Sequence, residues 1–337
     1  MDTRLSDIQV DLRDSVERFF TKESPLDVVR AAEPLGFDAS LWRKVVDGGW
    51  ADLGVPEHAG GQGASLVDVV FAALAHGRTL APVPLVEATV ARRLLARVNA
   101  APEVDRAAIV TVVPRVVGST TARAVPAGAV ADAMVTFDGT RLLWTPLDAG
   151  PRPSPVNLGS MPIATCEVAA DALVLAEGAV AKRHFATAVL EWKVLTAASL
   201  VGLGERAMEI ALDYVKDRTA FGTVIGSFQG VAHPLADDTV ALDGAYLLSL
   251  EAAWGLDEEV CDAGYFVAMA YYQAIEAARK AAADALHVHG GIGFTLEASP
   301  QLFLRRAKAW PLVCGDPEDE FDEIAAELIR RGLDEEL

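Results

Sequence analysis

A short motif around Arg218 carries the side chains best suited to binding an anionic ligand. The run reads Arg218-Thr-Ala-Phe-Gly222, and Gln229 follows seven residues after Gly222. A guanidinium can bind a pyrophosphate through two parallel hydrogen bonds, whereas a lysine presents only a point charge. The alternative is structural, because an arginine at the end of a helix often only compensates the helix dipole. We interpret the motif as one half of a phosphate-binding site.

A glycine-rich motif follows an alanine-rich helix further along the chain. It reads His289-Gly-Gly-Ile-Gly-Phe-Thr295, and His287 lies two residues before it. Backbone N–H groups approach a phosphate closely when no Cβ intervenes, which favours glycine at such positions. Gly290 also stands where the C-terminal cap of a helix is expected. A dinucleotide-binding βαβ unit is excluded, because these glycines follow a helix and not a strand.

The elements that must position these motifs fall into three stretches of different periodicity. Residues 1–103 are predicted to be helical, since Ser6 and Gln9 form a capping-box pattern with apolar residues at helical spacing behind it. Residues 104–183 contain short β-prone runs, and two of them flank Asp138-Gly139, a hairpin signal. Residues 184–337 return to long helices that suit a four-helix bundle. The sequence therefore predicts an α+β fold, mostly α, with a small middle β domain between two helical domains.

Composition excludes several classes of function. The chain has 337 residues, a net charge of −19 and three cysteines. The negative charge argues against nucleic-acid binding, which needs a basic face. No run of about 18 or more apolar residues predicts a membrane span, and the N-terminus lacks the apolar core of a secretory signal. The cysteines lack metal-site spacing, so we expect no metal and a reducing, cytoplasmic location.

The two motifs together resemble those of the acyl-CoA dehydrogenase family. The loop from Gly49 to Gly63, which reads Gly-Trp-Ala-Asp-Leu-Gly-Val-Pro-Glu-His-Ala-Gly-Gly-Gln-Gly, resembles a further family segment. The family's order of helical, β and helical-bundle domains also matches nearly the full chain. The resemblance implies FAD as the cofactor, held partly by a neighbouring subunit. By position it also implies the following cofactor-binding residues: Arg218, Phe221, Gln229, His287 (in place of the family's usual glutamine), Gly290 and Gly291.

The residues that the family uses on its own substrate are missing. Family members remove the α-proton of the acyl thioester with a glutamate, and Cys314 stands at that position here. A thiol with a pKa of about 8.5 is mostly protonated at neutral pH, so we interpret Cys314 as a small apolar residue. The family's strand motif beside the flavin ring is also absent. Val112-Val-Pro-Arg115 occupies roughly its place.

Glu191 is the remaining candidate for a catalytic base. Some family members carry the glutamate on an earlier helix, at the position that Trp192 takes here, so Glu191 falls one residue early. One step along a helix turns a side chain by about 100°. We therefore interpret Glu191 as a solvated carboxylate on a helix face and assign no catalytic residue to the chain.

This pattern of loss is the basis of the functional prediction. The chain resembles the shorter, non-catalytic subunit of a bacterial heterotetrameric acyl-CoA dehydrogenase of the sterol side-chain type. The resemblance implies a second subunit of the same family in an α2β2 assembly, an acyl-CoA substrate that becomes a trans-2-enoyl thioester, and an electron-transfer flavoprotein or similar acceptor. Two alternatives stay open: an autonomous flavoenzyme with a displaced base such as Glu191, and a flavin-free structural or regulatory subunit.

Overall fold

Helices, strands and again helices follow one another along the chain. A computed structural model describes residues 4–98, 104–148, 150 and 152–335. In this structure the strands of the middle part lie between Val110 and Glu177, and helices resume at Gly178. The predicted α+β, mostly α fold is confirmed. The predicted boundary after residue 103 lies outside the described residues, and the three domain ranges stay a prediction.

The N-terminal part contains the helices α1 (Asp7–Glu23), α2 (Leu26–Ala31), α3 (Ala39–Asp47), α4 (Leu66–Thr79) and α5 (Leu85–Val98). The helices α1, α3 and α4 each begin at a side-chain cap that the sequence encodes locally. At the start of α1 the Gln9 N–H donates to Ser6 Oγ at 3.3 Å, and the Ser6 N–H donates to Gln9 Oε1 at 3.1 Å. This is the predicted capping box. Ser65 and Asp68 form a second capping box at the start of α4.

The middle part of the chain consists of short strands. They are β1 (Val110–Val116), β2 (Thr121–Val125), β3 (Ala133–Phe137), β4 (Arg141–Pro146), β5 (Ala164–Glu167) and β6 (Leu173–Glu177). One sheet has the order β1-β3-β4-β6, and β2 pairs with β5. β3 and β4 form the predicted antiparallel hairpin. Its turn is closed by Asp138, whose carboxylate accepts from the N–H of Thr140 at 2.8 Å, and by Gly139 at φ +101°.

The C-terminal part is a helical bundle around one long helix. Its helices are α6 (Gly178–Asp217), α7 (Gln229–Asp257), α8 (Ala263–Val288), α9 (Pro300–Ala309) and α10 (Glu318–Glu335), and the two-residue strands β7 (Thr219–Ala220) and β8 (Thr223–Val224) form a hairpin between α6 and α7. The helical spacing of its apolar residues predicts one apolar stripe on α6, formed by Val194, Ala198, Val201, Met208, Leu212 and Val215. Instead, residues 191–204 are all buried, because α4, α5, α7, α8 and α9 pack around the helix. By length and composition α6 could cross a membrane, but its most apolar window is 72% buried inside the fold.

Two glycines bring α4 and α6 into close contact. A Cβ on Gly77 would overlap the carbonyl of Ser199, and a Cβ on Gly202 would overlap the carbonyl of Leu74. The two backbones can therefore touch only because these side chains are absent. This contact fixes α6 against the N-terminal helices and so sets the position of its C-terminal end, where Arg218 lies.

Candidate cofactor and active-site residues

Arg218 ends α6 and starts the hairpin that carries Phe221. Its N–H donates to the carbonyl of Tyr214 at 2.9 Å, and its own carbonyl accepts from the N–H of Ile225 at 2.8 Å. Phe221 and Gly222 form the tip with φ values of +53° and +83°. Both central residues of the turn therefore lie in the left-handed region, as tight hairpins of this kind require. The tip holds the Phe221 side chain 96% exposed.

The chain leaves the end of α8 at Gly290, which has the left-handed backbone conformation expected of a C-terminal helix cap. Gly290 has φ +59° and is followed by a 3-10 turn over Gly290–Phe294. A Cβ on Gly290 or Gly291 would meet no atom within 4 Å, so both glycines present open backbone at the surface. Gly293 has a different role, because a Cβ there would lie 2.8 Å from the Leu286 carbonyl oxygen. Its missing side chain lets the turn fold back onto α8.

The two motifs meet at one end of the bundle. Tyr214 on α6 stacks on His289 after α8, with ring centroids 4.1 Å apart and an interplanar angle of 24°. The 3-10 turn that precedes α7 packs on α6, since a Cβ on Gly226 would lie 3.0 Å from the Val215 carbonyl oxygen. The structure thus places all the predicted cofactor residues at the same end of the bundle, each of them exposed: Arg218, Phe221, Gln229, His287, Gly290 and Gly291.

An apolar surface surrounds these residues. We call it the apolar end surface; it consists of Phe221, Val224, Phe228, Ile292, Phe294 and Leu296, all exposed. Phe221 and Phe228 meet edge to face at 6.2 Å. Arg218 lies beside them and has no ion-pair partner among the residues that the structure describes. Exposed aromatic and aliphatic side chains that lie near one another are candidates for a binding surface.

The residues at the family's base and flavin-strand positions contact each other directly. Cys314 is half-buried, and its Sγ lies 3.8 Å from the Pro114 carbonyl oxygen on β1. Next to this contact the Arg115 guanidinium donates to the Val313 carbonyl at 2.9 Å and also to the Arg123 carbonyl. The strand and the turn that carries Cys314 are therefore joined without a gap between them.

Glu191 is buried, so its interpretation as a solvated carboxylate is wrong. Its side chain is 2% exposed, and its two oxygens accept from Arg93 Nε at 2.9 Å and from Arg97 Nη1 and Nη2 at 2.7 and 3.0 Å. Two guanidinium groups thus occupy the lone pairs that a base would use. The sequence held a signal for this pairing, because two arginines one turn apart on the apolar helix α5 need a carboxylate nearby.

A small cavity lies between the three parts of the chain. It has a volume of about 80 Å³, and its lining includes Trp192, Val313, His76 and Glu87. Burial lowers the pKa of His76 to about 4, and its Nε2 lies 3.1 Å from the Val83 carbonyl. Burial raises the pKa of Glu87 to about 7. No sequence motif pointed to either group.

The comparisons with known proteins agree with this architecture. The family model of the acyl-CoA dehydrogenase N-terminal domain matches residues 6–100. The family model of the acyl-CoA dehydrogenase C-terminal domain matches residues 184–329. Acyl-CoA dehydrogenase IpdE2 of Mycolicibacterium smegmatis is 31% identical over 94% of this chain and 97% of that protein. The chain belongs to the acyl-CoA dehydrogenase family.

Solved structures of the same fold include complexes of two different chains. The ChsE4–ChsE5 complex from Mycobacterium tuberculosis has a chain that is 25% identical, with a TM-score of 0.84 over 98% of this chain and 99% of that one. The Tcur3481–Tcur3483 steroid ACAD variant has a TM-score of 0.86 at 22% identity, over 97% of this chain and 99% of that one. At 22% identity, the similarity to the Tcur3481–Tcur3483 chain shows only that the two chains share a fold.

Proposed function

We propose that the chain is a subunit of an FAD-dependent acyl-CoA dehydrogenase complex and contributes FAD contacts in trans. The catalytic glutamate would come from a second family subunit, in an α2β2 assembly. The observation that carries this proposal is the contrast between two regions of the chain. The predicted cofactor residues stand open at the end of the bundle, whereas Cys314 and Pro114 are in contact where a substrate site would be.

The exposed end fits the pyrophosphate part of FAD. The Arg218 guanidinium is free to form a bidentate, charge-assisted contact with a diphosphate. The open backbone at Gly290 and Gly291 allows a phosphate to approach closely. Phe221, Gln229 and His287 complete the set by position. When bound, FAD would supply the hydride acceptor for α,β-dehydrogenation; this chain's residues would only bind and orient it.

The region of the missing base argues against a substrate pocket at that position in this chain. Pockets for cofactor-sized ligands typically have volumes of about 300–1,000 Å³, whereas the cavity beside Val313 has about 80 Å³. Glu191 is held by Arg93 and Arg97, which weighs against the autonomous flavoenzyme with a displaced base. The partner subunit would therefore supply the base, the flavin-ring contacts and the acyl-CoA pocket.

The relatives suggest the class of substrate. The similarity to IpdE2, and to one chain of a complex of two different chains, supports a hetero-oligomeric enzyme. The fold relative Tcur3481–Tcur3483 is a steroid ACAD, which favours a steroid side-chain acyl-CoA as the substrate. We propose a cytoplasmic enzyme whose electrons pass to an electron-transfer flavoprotein or a similar acceptor.

Expression with and without a partner tests the proposal. The chain alone should bind little FAD and show no acyl-CoA dehydrogenase activity, whereas co-expression with a longer family member should give a yellow, active complex. In that complex Arg218→Ala should release FAD roughly ten- to a hundredfold more readily, as expected for a lost hydrogen bond to a charged group. The matched control is Arg206→Ala, which removes a partly exposed i,i+3 pair with Glu209 on the same helix.

Three results would overturn the proposal. One is a yellow homo-oligomer that turns over acyl-CoA unaided, which would establish the autonomous enzyme. Another is an active complex whose flavin content is the same with Arg218→Ala after extensive dialysis. The third is a stable complex without any flavin, which would establish the structural or regulatory subunit.

A further inference from the structure

We infer that Arg30 is a positioning residue for the FAD contacts at the glycine motif, an inference that rests on the proposed function. Arg30 lies on α2 in the N-terminal part of the chain. Its Nη1 donates to the Leu296 carbonyl, and its Nη2 donates to the next carbonyl, that of Glu297, at 2.9 Å. One guanidinium therefore binds two consecutive carbonyls just after the glycine turn. By holding this segment, Arg30 would position the backbone that contacts FAD.

The segment from residue 290 to residue 297 is anchored at both of its ends. At the start, His289 stacks on Tyr214 and its Nδ1 lies 2.6 Å from the Ala285 carbonyl oxygen. Near the other end, the N–H groups of Thr295 and Ala298 make short local bonds, to the carbonyls of Ile292 and Thr295. Such local bonds shape the loop but do not tie it to the body of the protein. The Arg30 contact supplies that tie.

The same stretch of the N-terminal part also fixes the helix that follows the loop. Glu33 Oε1 accepts from Arg305 Nη2 at 2.6 Å and from Arg306 Nη2 at 3.1 Å, both on α9. Burial opposes ionisation of Glu33, but the charges of Arg306 and Arg305 hold the pKa of its carboxyl below the usual value. Arg30 and Glu33 therefore set, from one side, the path along which the chain leaves the glycine turn.

The anchoring is important because the segment begins with two glycines. Gly290 and Gly291 have open space around them, so nothing at their own positions restricts the backbone. A flexible segment must lose conformational entropy when it binds a ligand, and a segment that is already ordered loses less. With both ends of the segment held, the backbone at the glycines is ordered before the cofactor arrives. Without Arg30, binding would have to supply part of that order.

The test uses the co-expressed complex and the variant Arg30→Met, which keeps an apolar stem and removes the donors. We expect FAD release to become about three- to tenfold faster, less than for Arg218→Ala, because the lost contact acts indirectly. Hydrogen exchange of residues 292–298 in the chain alone should also be faster, a readout that needs no flavin. Arg30→Lys should give an intermediate result, since an ammonium lacks the planar fork that reaches two carbonyls.

The matched control is Arg279→Met, which removes an exposed i,i+3 pair on α8. It should change neither the release of FAD nor the exchange of residues 292–298. The midpoint temperature of thermal unfolding of the Arg30→Met chain should stay close to that of the wild type. The loss of FAD then cannot be attributed to a less stable fold.

The outcomes separate this inference from the proposed function. If Arg218→Ala loses FAD while Arg30→Met retains it, the role of Arg30 is wrong and the proposed function stands, whatever the exchange data show. If neither variant changes FAD retention, both fail together. If Arg30→Met does not fold, Arg30→Lys decides: a folded Arg30→Lys complex with wild-type FAD release and exchange overturns the inference.

Discussion

At the scale of the residue, Glu191 shows how burial decides the role of a carboxylate. Because Glu191 is 2% exposed between Arg93 and Arg97, Glu191→Gln would leave two guanidinium groups facing a neutral side chain. Breaking a buried ion pair from one side is strongly destabilising. We expect Glu191→Gln to lower the free energy of unfolding by about 2–4 kcal/mol, measured by urea unfolding of the chain alone.

A control variant and a turnover assay test this assignment further. Glu276→Gln, in an exposed pair with Arg279, should change stability by less than about 0.5 kcal/mol. In the complex, turnover per folded Glu191→Gln or Cys314→Ala molecule should stay within a few-fold of wild type. A loss of about 10²–10⁴-fold with FAD still bound would identify a general base and contradict this assignment.

The pKa of Glu87 gives a prediction about pH. Burial raises it to about 7, above the ordinary value of 4.5 that applies in the unfolded chain. Between these values the native state holds a proton that the unfolded state has released, so stability falls as the pH rises through this window. Glu87→Gln removes this dependence. The variant should therefore be more stable than the wild type by about 1–3 kcal/mol at pH 8, and the difference should vanish towards pH 4.5.

Denaturant titrations of the wild type and of Glu87→Gln at each pH measure the difference in their free energy of unfolding. His76, whose pKa is lowered to about 4 by burial, makes the native state lose stability as the pH falls from its ordinary 6.5 to that value. This effect has the opposite sign, but both proteins share it, so it cancels in their difference. A difference between variant and wild type that is independent of pH would show that Glu87 ionises normally.

At the scale of the element, the contact between α4 and α6 depends on missing side chains. Gly77→Ala would place a Cβ onto the Ser199 carbonyl, which the backbone can relieve only by shifting a whole helix. We expect a loss of stability of about 2 kcal/mol or more, in the range of overpacked cores. Thermal unfolding measures it.

A second helical glycine provides the comparison. Gly244 on α7 has nothing within 4 Å of its would-be Cβ. Gly244→Ala should therefore stabilise the chain by about 0.5–1 kcal/mol through helix propensity alone. Equal effects of the two alanines would mean that the approach of α4 to α6 does not depend on Gly77.

At the scale of the whole molecule, the apolar end surface should determine assembly. Phe294 is 70% exposed and Ile8, on α1 and remote from this surface in the chain, is 80% exposed. If the surface is the interface, Phe294→Ser should weaken association with the partner at least about tenfold, as for an aromatic anchor. Ile8→Ser, an equally exposed apolar residue, should leave it unchanged. Analytical ultracentrifugation of the co-expressed chains would measure both, and equal behaviour of the two variants would place the interface elsewhere.

Local signals in the sequence predicted most of the elements. The capping box at Ser6, the hairpin at Asp138-Gly139 and the left-handed Gly290 are set by neighbours a few residues apart, so their patterns can be read directly. The family motifs then supplied the order of these elements. The arrangement of the candidate cofactor residues followed from the same motifs, and their role as FAD contacts stays a prediction.

Long-range pairings could not be read in the same way. Glu191 meets Arg93 and Arg97 across more than 90 residues of chain, and Arg30 meets Leu296 across 266. Such pairs leave no periodic trace. The two arginines on α5 indicate that a carboxylate lies nearby, but nothing in their segment identifies Glu191, and a backbone carbonyl such as that of Leu296 has no signature in the sequence. For the same reason the sequence did not predict that residues 191–204 of α6 are buried on every side, because this burial depends on five other helices.

The contact between Cys314 and Pro114 has a consequence for how such a chain can change over time. A glutamate introduced at position 314 would restore the group but not the room for it, because β1 and the turn already touch and Arg115 ties them together. Recovery of an independent enzyme would need several coordinated changes in two distant segments. Under the proposed function, such a chain would evolve together with its partner subunit, and the two genes would become hard to separate.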